Sequence, residues 1–382
     1  MSEKSTTKPI ISWTTLSLPF KSKKNAKVLT IDQERVLITQ DTHACVINIT
    51  TGEVISYTAS ECWKSCLAVI GKPSSTGFRL IALEICSYAL FDSVQGSWST
   101  FETISNVPPE GRPGGVVSKK DGNLSVTWWT SDPQYRDYWS KMYTYDYQKD
   151  AWITYESYIY SNDPTGAAFQ INDEQIMYLD SDQLSIGLGQ FKSLPDCPQR
   201  GSWSYSFLVD DHTIMIAKKY WYTDHSGDKA IAIRAFRFNL EKYEYTQIFH
   251  KRHCSRETIV IQISANVFAC FGGKTIVAFY RKHGDLVLVN GALLELVDDI
   301  DQKRVWVRYP ETGELTLISN QFIPGIKKKV HSDGRMDLFS IEGEALTALD
   351  LPETMNSPVA TWINQKQSVV IGDQHCWLLS SE

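Results

Sequence analysis

Two segments of the sequence mix aromatic and charged side chains in a way that suits molecular recognition. One runs from Trp128 to Trp139 and the other from Lys219 to Lys229. Flat rings supply apolar contact area, and neighbouring charges supply directional hydrogen bonds, a combination that is enriched in binding hot spots. The alternative for any single ring is a structural one, in which it covers a strand end. The predicted binding residues are Trp129, Tyr135, Arg136, Tyr138, Trp221 and His225.

An enzyme is a second interpretation of the same segments. Asp132, Arg136, Asp224 and His225 would be its candidate catalytic groups, because they combine carboxylates, an imidazole and a fixed cation. The sequence has no Gly-x-Ser-x-Gly elbow, no Gly-rich nucleotide loop and no His-Glu-x-x-His helix. A catalytic role is therefore left open, and a non-enzymatic binding role is favoured.

The strongest candidate for metal-ligand chemistry is the cluster of His250, His253 and Cys254. Zinc requires a further ligand with suitable geometry, and no partner motif of fixed spacing occurs elsewhere. We therefore predict neither a metal nor another cofactor.

Composition excludes several classes of partner. The 382 residues carry a net charge of −6, and 42% of them are hydrophobic, which is enough for a large core. There is no concentrated cationic stripe, so nucleic acid and anionic membranes are not expected partners. The polar segment Met1–Lys8 is not a secretory signal, and the eight cysteines fit buried free thiols, so a cytoplasmic location is expected.

The elements that must position these residues are short strands. β-branched and aromatic runs such as Arg35–Thr39, Leu124–Trp129 and Ala230–Phe238 are separated by Gly, Asn, Asp and Ser turns. The class is all-β. Several of these runs fall into a unit of about fifty residues, which is the signature of a repeat architecture.

The clearest mark of the unit is an Asp or Asn that is followed six residues later by an aromatic. Asp92 precedes Trp98, Asp146 precedes Trp152, and Asn239 precedes Tyr245. A weaker copy runs from Val46 to Thr50 and leads to Val54 and Tyr57. A paired glycine, Gly272-Gly273, follows one predicted second strand.

These features resemble the kelch repeat, whose third strand ends in a similar turn and whose fourth opens on Trp. The resemblance implies a divergent kelch-like β-propeller of about seven four-stranded blades, within a range of six to eight. Ile11–Leu16 reads as a fourth strand and 359–379 as three strands without a fourth, so we expect the N-terminal strand to complete the last blade and close the ring.

We therefore predict a tail over 1–9 and a single propeller domain over 10–382, with an insertion near 325–332. Two β-sandwiches are the alternative, although no linker composition separates two domains. The resemblance implies a module that binds a protein or peptide through its loop face. The alternatives are a carbohydrate-binding propeller, or an enzyme with a site at the mouth of the central channel.

Overall fold

The recurring Asp or Asn ends the third strand of a sheet and caps the following turn. In the computed structural model, the Asn48 side chain accepts hydrogen bonds from the backbone N–H groups two and three residues further on, at 2.9 and 3.0 Å. Asp92, Asp146 and Asn239 accept the same pair of bonds. The weaker copy of the repeat thus has Asn48 as its turn residue, and it keeps the spacing of six to Val54.

The fourth residue after each turn residue has a left-handed backbone. Its φ is 75° at Gly52, 68° at Gly96, 50° at Asp150 and 55° at Tyr243. A left-handed residue reverses the chain within a tight turn, so the next strand can pair with the one before it. One local signal therefore specifies the same hairpin in four sheets.

The aromatic that opens the fourth strand packs on a ring of the third. Ring centroids lie 5.1 Å apart for Phe91 and Trp98, and 5.3 Å apart for Tyr145 and Trp152. In the fifth sheet Phe238 and Tyr245 are separated by 4.5 Å. These contacts fix the outer edge of each sheet on its own core.

The structure describes residues 11–382 outside several gaps, and in some strands it describes the backbone alone. The gaps are residues 21–25, 106, 108–110, 132–137, 162–166, 173–174, 180–183, 188–191, 201–202, 224–228, 255–257, 272–273, 279–285, 290–291, 299–304, 309–314, 320–327, 333–334, 344–345, 347–348, 353–357, 373–374 and 382.

Eight antiparallel sheets of four or five strands occur in the described chain, and seven of them follow one another outside an insertion. Sheet 1 contains β2 (Lys27–Thr30), β3 (Arg35–Gln40), β4 (His43–Asn48) and β5 (Val54–Tyr57). After a 3₁₀ turn (Glu61–Lys64), sheet 2 contains β6 (Cys66–Ser74), β7 (Gly77–Leu83), β8 (Ser87–Asp92), β9 (Ser97–Trp98) and β10 (Glu102–Thr103). Sheet 3 contains β11 (Arg112–Ser118), β12 (Leu124–Ser131), β13 (Tyr138–Asp146) and β14 (Ala151–Ser161). Sheet 4 contains β15 (Ala167–Asn172), β16 (Gln175–Leu179), β17 (Leu184–Gly187) and β18 (Lys192–Ser193).

The remaining three sheets lie in the second half of the chain. Sheet 5 contains β19 (Trp203–Asp210), β20 (Thr213–Thr223), β21 (Lys229–Asn239) and β22 (Glu244–Cys254). Sheet 6 contains β23 (Ile259–Gln262), β24 (Val267–Phe271), β31 (Arg335–Ser340) and β32 (Leu349–Asp350). Sheet 7 contains β33 (Val359–Asn364), β34 (Gln367–Ile371), β35 (Cys376–Ser381) and the N-terminal β1 (Ile11–Leu16), which pairs with β35.

An insertion separates the second and third strands of sheet 6. The sequence placed an insertion near 325–332, but the inserted segment is longer and lies between Phe271 and Arg335. Its strands carry the same β signals as the repeat, so their composition does not distinguish them. They are β25 (Lys274–Ala278) paired with β30 (Lys328–Ser332), and a sheet of β26 (Leu286–Val289), β27 (Ala292–Asp298), β28 (Val305–Arg308) and β29 (Leu315–Ser319).

The sheets have a propeller-like arrangement, in which first strands of neighbouring sheets touch. The contacts join β6 to β11, β11 to β15, β15 to β19, β19 to β23, β23 to β33, and β33 to β2. Buried side chains fill the interfaces between sheets, including Trp63 and Phe91 between sheets 1 and 2, and Val36 and Val369 between sheets 7 and 1. Burial of this apolar area is the main stabilising term of such a stack.

The two ends of the sheets differ. We call the end with the turns between first and second strands the turn face, and the opposite end the hairpin face. On the turn face, neighbouring sheets are tied together, for example by the backbone bond from Gly71 to Gly122 at 2.8 Å and the bond from Asn364 Nδ2 to the Gln33 carbonyl at 2.9 Å. The hairpin face carries the connections between second and third strands.

The all-β prediction is confirmed. The sequence suggests loops for the two aromatic segments, but their described residues belong to strands. Trp129 and Tyr138 belong to β12 and β13, and Trp221 belongs to β20. Alternating aromatic and polar residues continue the strand pattern to both hairpin tips, which is why these strands reach 8 to 11 residues. In the described residues no helix has the length and apolar character needed to span a bilayer.

Candidate functional site

The predicted site residues fall on two long hairpins of the hairpin face. Trp129 and Tyr138 lie on the β12–β13 hairpin of sheet 3, and Trp221 lies on the β20–β21 hairpin of sheet 5. Sheet 4 separates these two sheets along the chain. The other predictions lie outside the described residues, and they are Tyr135, Arg136 and His225, together with Asp132 and Asp224 of the enzyme alternative.

The first tryptophan of the β12–β13 hairpin, Trp128, lies in the core. Trp128 is 1% exposed, and its indole N–H donates to the Ile85 carbonyl at 2.9 Å. Its ring meets Tyr143 and Trp152 edge to face, with centroids 5.6 and 5.5 Å apart. Trp129 is half-buried on the opposite side of the strand. Trp128 is therefore a core residue with a structural role.

The β20–β21 hairpin presents aromatic side chains on both of its surfaces. Trp221 is 43% exposed, an unusual degree for the largest apolar side chain. Tyr220 and Tyr222 are half-buried, and strand alternation places them on the other surface, which faces sheet 4. Their rings lie 6.4 Å apart.

Two arginines stack on these tyrosines. The guanidinium carbon of Arg234 lies 5.5 Å from the Tyr220 ring centre, and that of Arg252 lies 6.0 Å from the Tyr222 ring centre. Both distances fit cation–π contacts. Cationic and aromatic side chains thus alternate over the surface of the hairpin that faces sheet 4.

His250 lies within this arrangement. Its Nε2 is 3.3 Å from the hydroxyl of Tyr220, and register places it opposite Arg234 on β21. Burial lowers the pKa of His250, and the neighbouring charges of Arg234 and Arg252 lower it further. The imidazole is therefore held neutral in a positively charged setting.

The candidate metal ligands His250 and Cys254 lie on opposite surfaces of sheet 5. The Cys254 thiol is buried in the core shared with sheet 6, where it hydrogen-bonds with the Cys270 thiol, and this bond, ahead of burial, raises the pKa of Cys270. His250 instead contacts Tyr220 on the surface facing sheet 4. Across the described part of the chain, no three His, Cys, Asp or Glu side chains are grouped to hold a metal ion.

A buried polar cluster anchors the base of the β20–β21 hairpin to sheet 6. Lys219 is 3% exposed and donates to the Thr258 carbonyl at 3.0 Å and to the Tyr205 hydroxyl at 3.3 Å. Nearby, Lys251 and Asp337 form an ion pair between β22 and β31. Leaving the buried Lys219 ammonium without these acceptors would be costly, so the cluster fixes the base of the hairpin.

A cavity of about 620 Å³ lies among the first strands of sheets 5, 6 and 7. Its lining includes Phe207, Ile261 and Trp362 and is largely apolar. Among the described lining residues Tyr205 is the only titratable side chain, and burial raises its pKa, so it remains a neutral phenol. This part of the cavity supplies no acid–base pair.

Sequence inspection missed Arg234, Arg252 and Tyr220 as site residues. They are separated by 14 to 32 positions along the chain, and only the register of sheet 5 brings them together. The available signal was the hairpin itself, because pairing strands on either side of residues 224–228 puts position 220 opposite position 232.

The similarities found with known proteins are to solved structures. No protein-family model matches the sequence, and a search of curated proteins gives no match. Among solved structures, the chain is similar to an oligogalacturonate lyase from Vibrio parahaemolyticus, at 12% identity over 98% of this chain and 97% of that one, with a TM-score of 0.47.

Two other solved structures show a likeness of the same order. One is a chain of the mitotic checkpoint complex, at 8% identity over 96% of this chain and 92% of that one, with a TM-score of 0.47. The other is the WD40 domain of SCAP from fission yeast, at 7% identity over 97% and 98% of the two chains, with a TM-score of 0.41. Likeness at this level assigns no activity to the chain.

Proposed function

We propose that the chain is a protein- or peptide-binding module built on a single kelch-like propeller over residues 10–382. In this proposal the seven sheets are seven blades, and the pairing of β1 with β35 closes the ring. The packing of β33 on β2, and the shared core of sheets 7 and 1, support closure. The inserted strands between Phe271 and Arg335 extend the sixth blade.

The observation that carries the proposed function is the exposed end of the β20–β21 hairpin. Trp221 is 43% exposed on a hairpin whose base is fixed by the buried Lys219 cluster. An exposed indole, with arginines and tyrosines on the other surface of the same hairpin, has the composition of a protein-binding hot spot. Trp129 and Tyr138, with Tyr135, Arg136 and His225, are proposed to extend the same binding face.

Carbohydrate binding is the second candidate, because exposed indoles also stack on sugar rings. The asymmetry of the site favours a protein partner, since Trp221 is the one exposed tryptophan among the residues whose burial the structure describes. A cytoplasmic location is proposed with the binding role. All eight cysteines are free thiols, as expected for a reducing compartment.

The test compares capture of partners by immobilised wild type, Trp221→Ala and Val94→Ala. Val94 is the matched control because it is an apolar residue, 72% exposed, in the β8–β9 turn on the turn face. Quantitative mass spectrometry of cytosolic proteins and a glycan array are run on all three proteins, after thermal melts have shown equal folding.

We expect Trp221→Ala to lose a specific protein partner that Val94→Ala retains. Loss of a hot-spot side chain costs about 2 kcal/mol, which weakens binding roughly 30-fold. Retention of every captured protein by Trp221→Ala would refute the proposed site. Loss of a glycan signal alone would establish the carbohydrate alternative.

A further inference from the structure

The surface of sheet 5 that faces sheet 4 carries a row of cations across three strands. Lys218 on β20 is paired with Arg234 on β21, which is paired in turn with His250 on β22. Side chains directly opposite each other on one surface of a sheet have Cβ atoms about 5 Å apart. Arg252, on the same strand as His250, adds a further positive charge near this row.

The guanidinium charges of Arg234 and Arg252 are not neutralised by carboxylates of the described residues. The Nη1 of Arg234 donates to the amide oxygen of Gln199 at 3.0 Å, and its Nε is buried without an acceptor among the described residues. Neither Arg234 nor Arg252 forms an ion pair with a described Asp or Glu. A partly buried guanidinium without a counter-charge is costly, and like charges placed opposite each other destabilise a sheet.

Each of the two guanidinium groups lies over a tyrosine ring. Arg234 lies over Tyr220 and Arg252 lies over Tyr222, while the Tyr220 hydroxyl meets His250. Stacking uses the flat face of a guanidinium and leaves its N–H groups in the plane for an oxyanion, which they can bind in a bidentate manner. Arg252 is exposed and His250 is half-buried, so the cluster opens to solvent.

We propose that Arg234, His250 and Arg252 form a binding site for a phosphoryl group, carried by a phosphorylated segment of the protein partner. A phosphoryl dianion balances two fixed guanidinium charges, whereas a carboxylate balances one of them. The site itself is inferred from the charge and stacking of these residues. The phosphopeptide source rests on the proposed protein-binding function.

Inorganic phosphate is the first probe, and the His250 resonance is the readout. On the described strands, the imidazole contacts Tyr220 and lies near the charges of Arg234 and Arg252. The titratable groups of Lys218 and Tyr222 lie on the same surface of the sheet. Phosphate is titrated against sodium chloride at equal ionic strength while the ring signals of His250 are followed by NMR. We expect saturable shifts and a rise in the pKa of His250 with phosphate alone.

Variants distinguish a specific phosphate-binding site from non-specific attraction by surface charge. Arg252→Gln changes an exposed side chain and is expected to weaken phosphate binding at least tenfold, and Arg234→Lys tests whether a planar guanidinium is required. Arg79→Gln is the matched control, because Arg79 is an exposed arginine that lies 3.5 Å from the Asp92 carboxylate on sheet 2. We expect Arg79→Gln to bind phosphate like the wild type.

Peptides test the source of the phosphoryl group. Once the partner segment is known, it is compared in phosphoserine, glutamate and serine forms, and the phosphoserine form is expected to bind at least tenfold more tightly than the others. Equal effects of phosphate and chloride, or equal binding by Arg252→Gln and wild type, would overturn the site. Tighter binding of the glutamate form would overturn the phosphoryl assignment.

The two proposals can fail separately. Capture that depends on Trp221 but is unchanged in Arg252→Gln would overturn the phosphoryl site and leave the protein-binding function standing. Phosphate binding that depends on Arg252, without any partner that depends on Trp221, would overturn the protein-binding function and leave the phosphoryl site standing.

Discussion

Replacement of Trp128 by alanine should destabilise the protein far more than the same change at Trp221. Trp128 is 1% exposed, packs on two aromatic rings and donates to the Ile85 carbonyl, so the change removes apolar burial and a hydrogen bond. Truncation of a buried Trp costs about 3–5 kcal/mol, and an acceptor left without its donor adds about 1 kcal/mol or more. Trp221 is 43% exposed, and its truncation should cost less than about 1 kcal/mol.

The assay monitors urea unfolding by circular dichroism. The free energy of unfolding is compared between proteins, together with the slope of the transition. Trp128→Phe separates the two contributions at this position, because it keeps most of the apolar contact and loses the indole N–H. We expect it to lie between wild type and Trp128→Ala. Equal destabilisation by Trp128→Ala and Trp221→Ala would refute the division of these aromatics into core and surface.

Three further predictions concern backbone strain, charge and thiols. Tyr243→Gly should stabilise the protein by about 1 kcal/mol in urea unfolding, because φ is 55° at this residue and glycine adopts that conformation without steric cost; a loss of stability would contradict this. His250 should titrate below its ordinary pKa in an NMR pH series, and Arg252→Gln should raise that pKa by removing a like charge. Folding lowers the pKa of His250, so protonation of this imidazole favours the unfolded chain. The contribution of His250 to the free energy of unfolding is therefore fully present above its ordinary pKa and is lost as the pH falls through its folded pKa. Cys45, whose pKa burial raises to about 12, should resist iodoacetamide under conditions where the half-buried Cys86 is alkylated, as measured by mass spectrometry.

The repeat could be predicted because its information is local. Asp92 and Trp98, six residues apart, specify a turn and the first residue of the next strand without reference to the rest of the chain. The turn between β21 and β22 follows the same rule with Asn239 and Tyr245. Three sheets were therefore visible from this spacing, and a fourth was visible as a weaker copy of the repeat.

The insertion and the extent of the hairpins could not be predicted in the same way. Strands of the insertion, such as Ala292–Asp298, have the composition of blade strands, so the sequence does not indicate that β24 pairs with β31 across them. Trp128 and Trp129 are adjacent and identical in type, yet one is buried and the other half-buried, because strand alternation sends them to opposite surfaces.

The candidate site was only partly predictable for a related reason. Trp221 is visible in the sequence as an aromatic residue among charged ones. Arg234 and His250 can be recognised as neighbours only from the pairing of β21 with β22. Register is a property of the folded sheet. A cluster assembled by register is found by aligning the strands of a hairpin, not by scanning for a motif.

The most direct test places a photo-reactive benzophenone side chain at position 223, an exposed position two residues from Trp221, or at position 94, and cross-links the protein to its captured partner. We expect a strong adduct from position 223, on the β20–β21 hairpin, and little from position 94, on the turn face. Adducts of equal yield from both positions, or from position 94 alone, would contradict the claim that partners bind the β20–β21 hairpin.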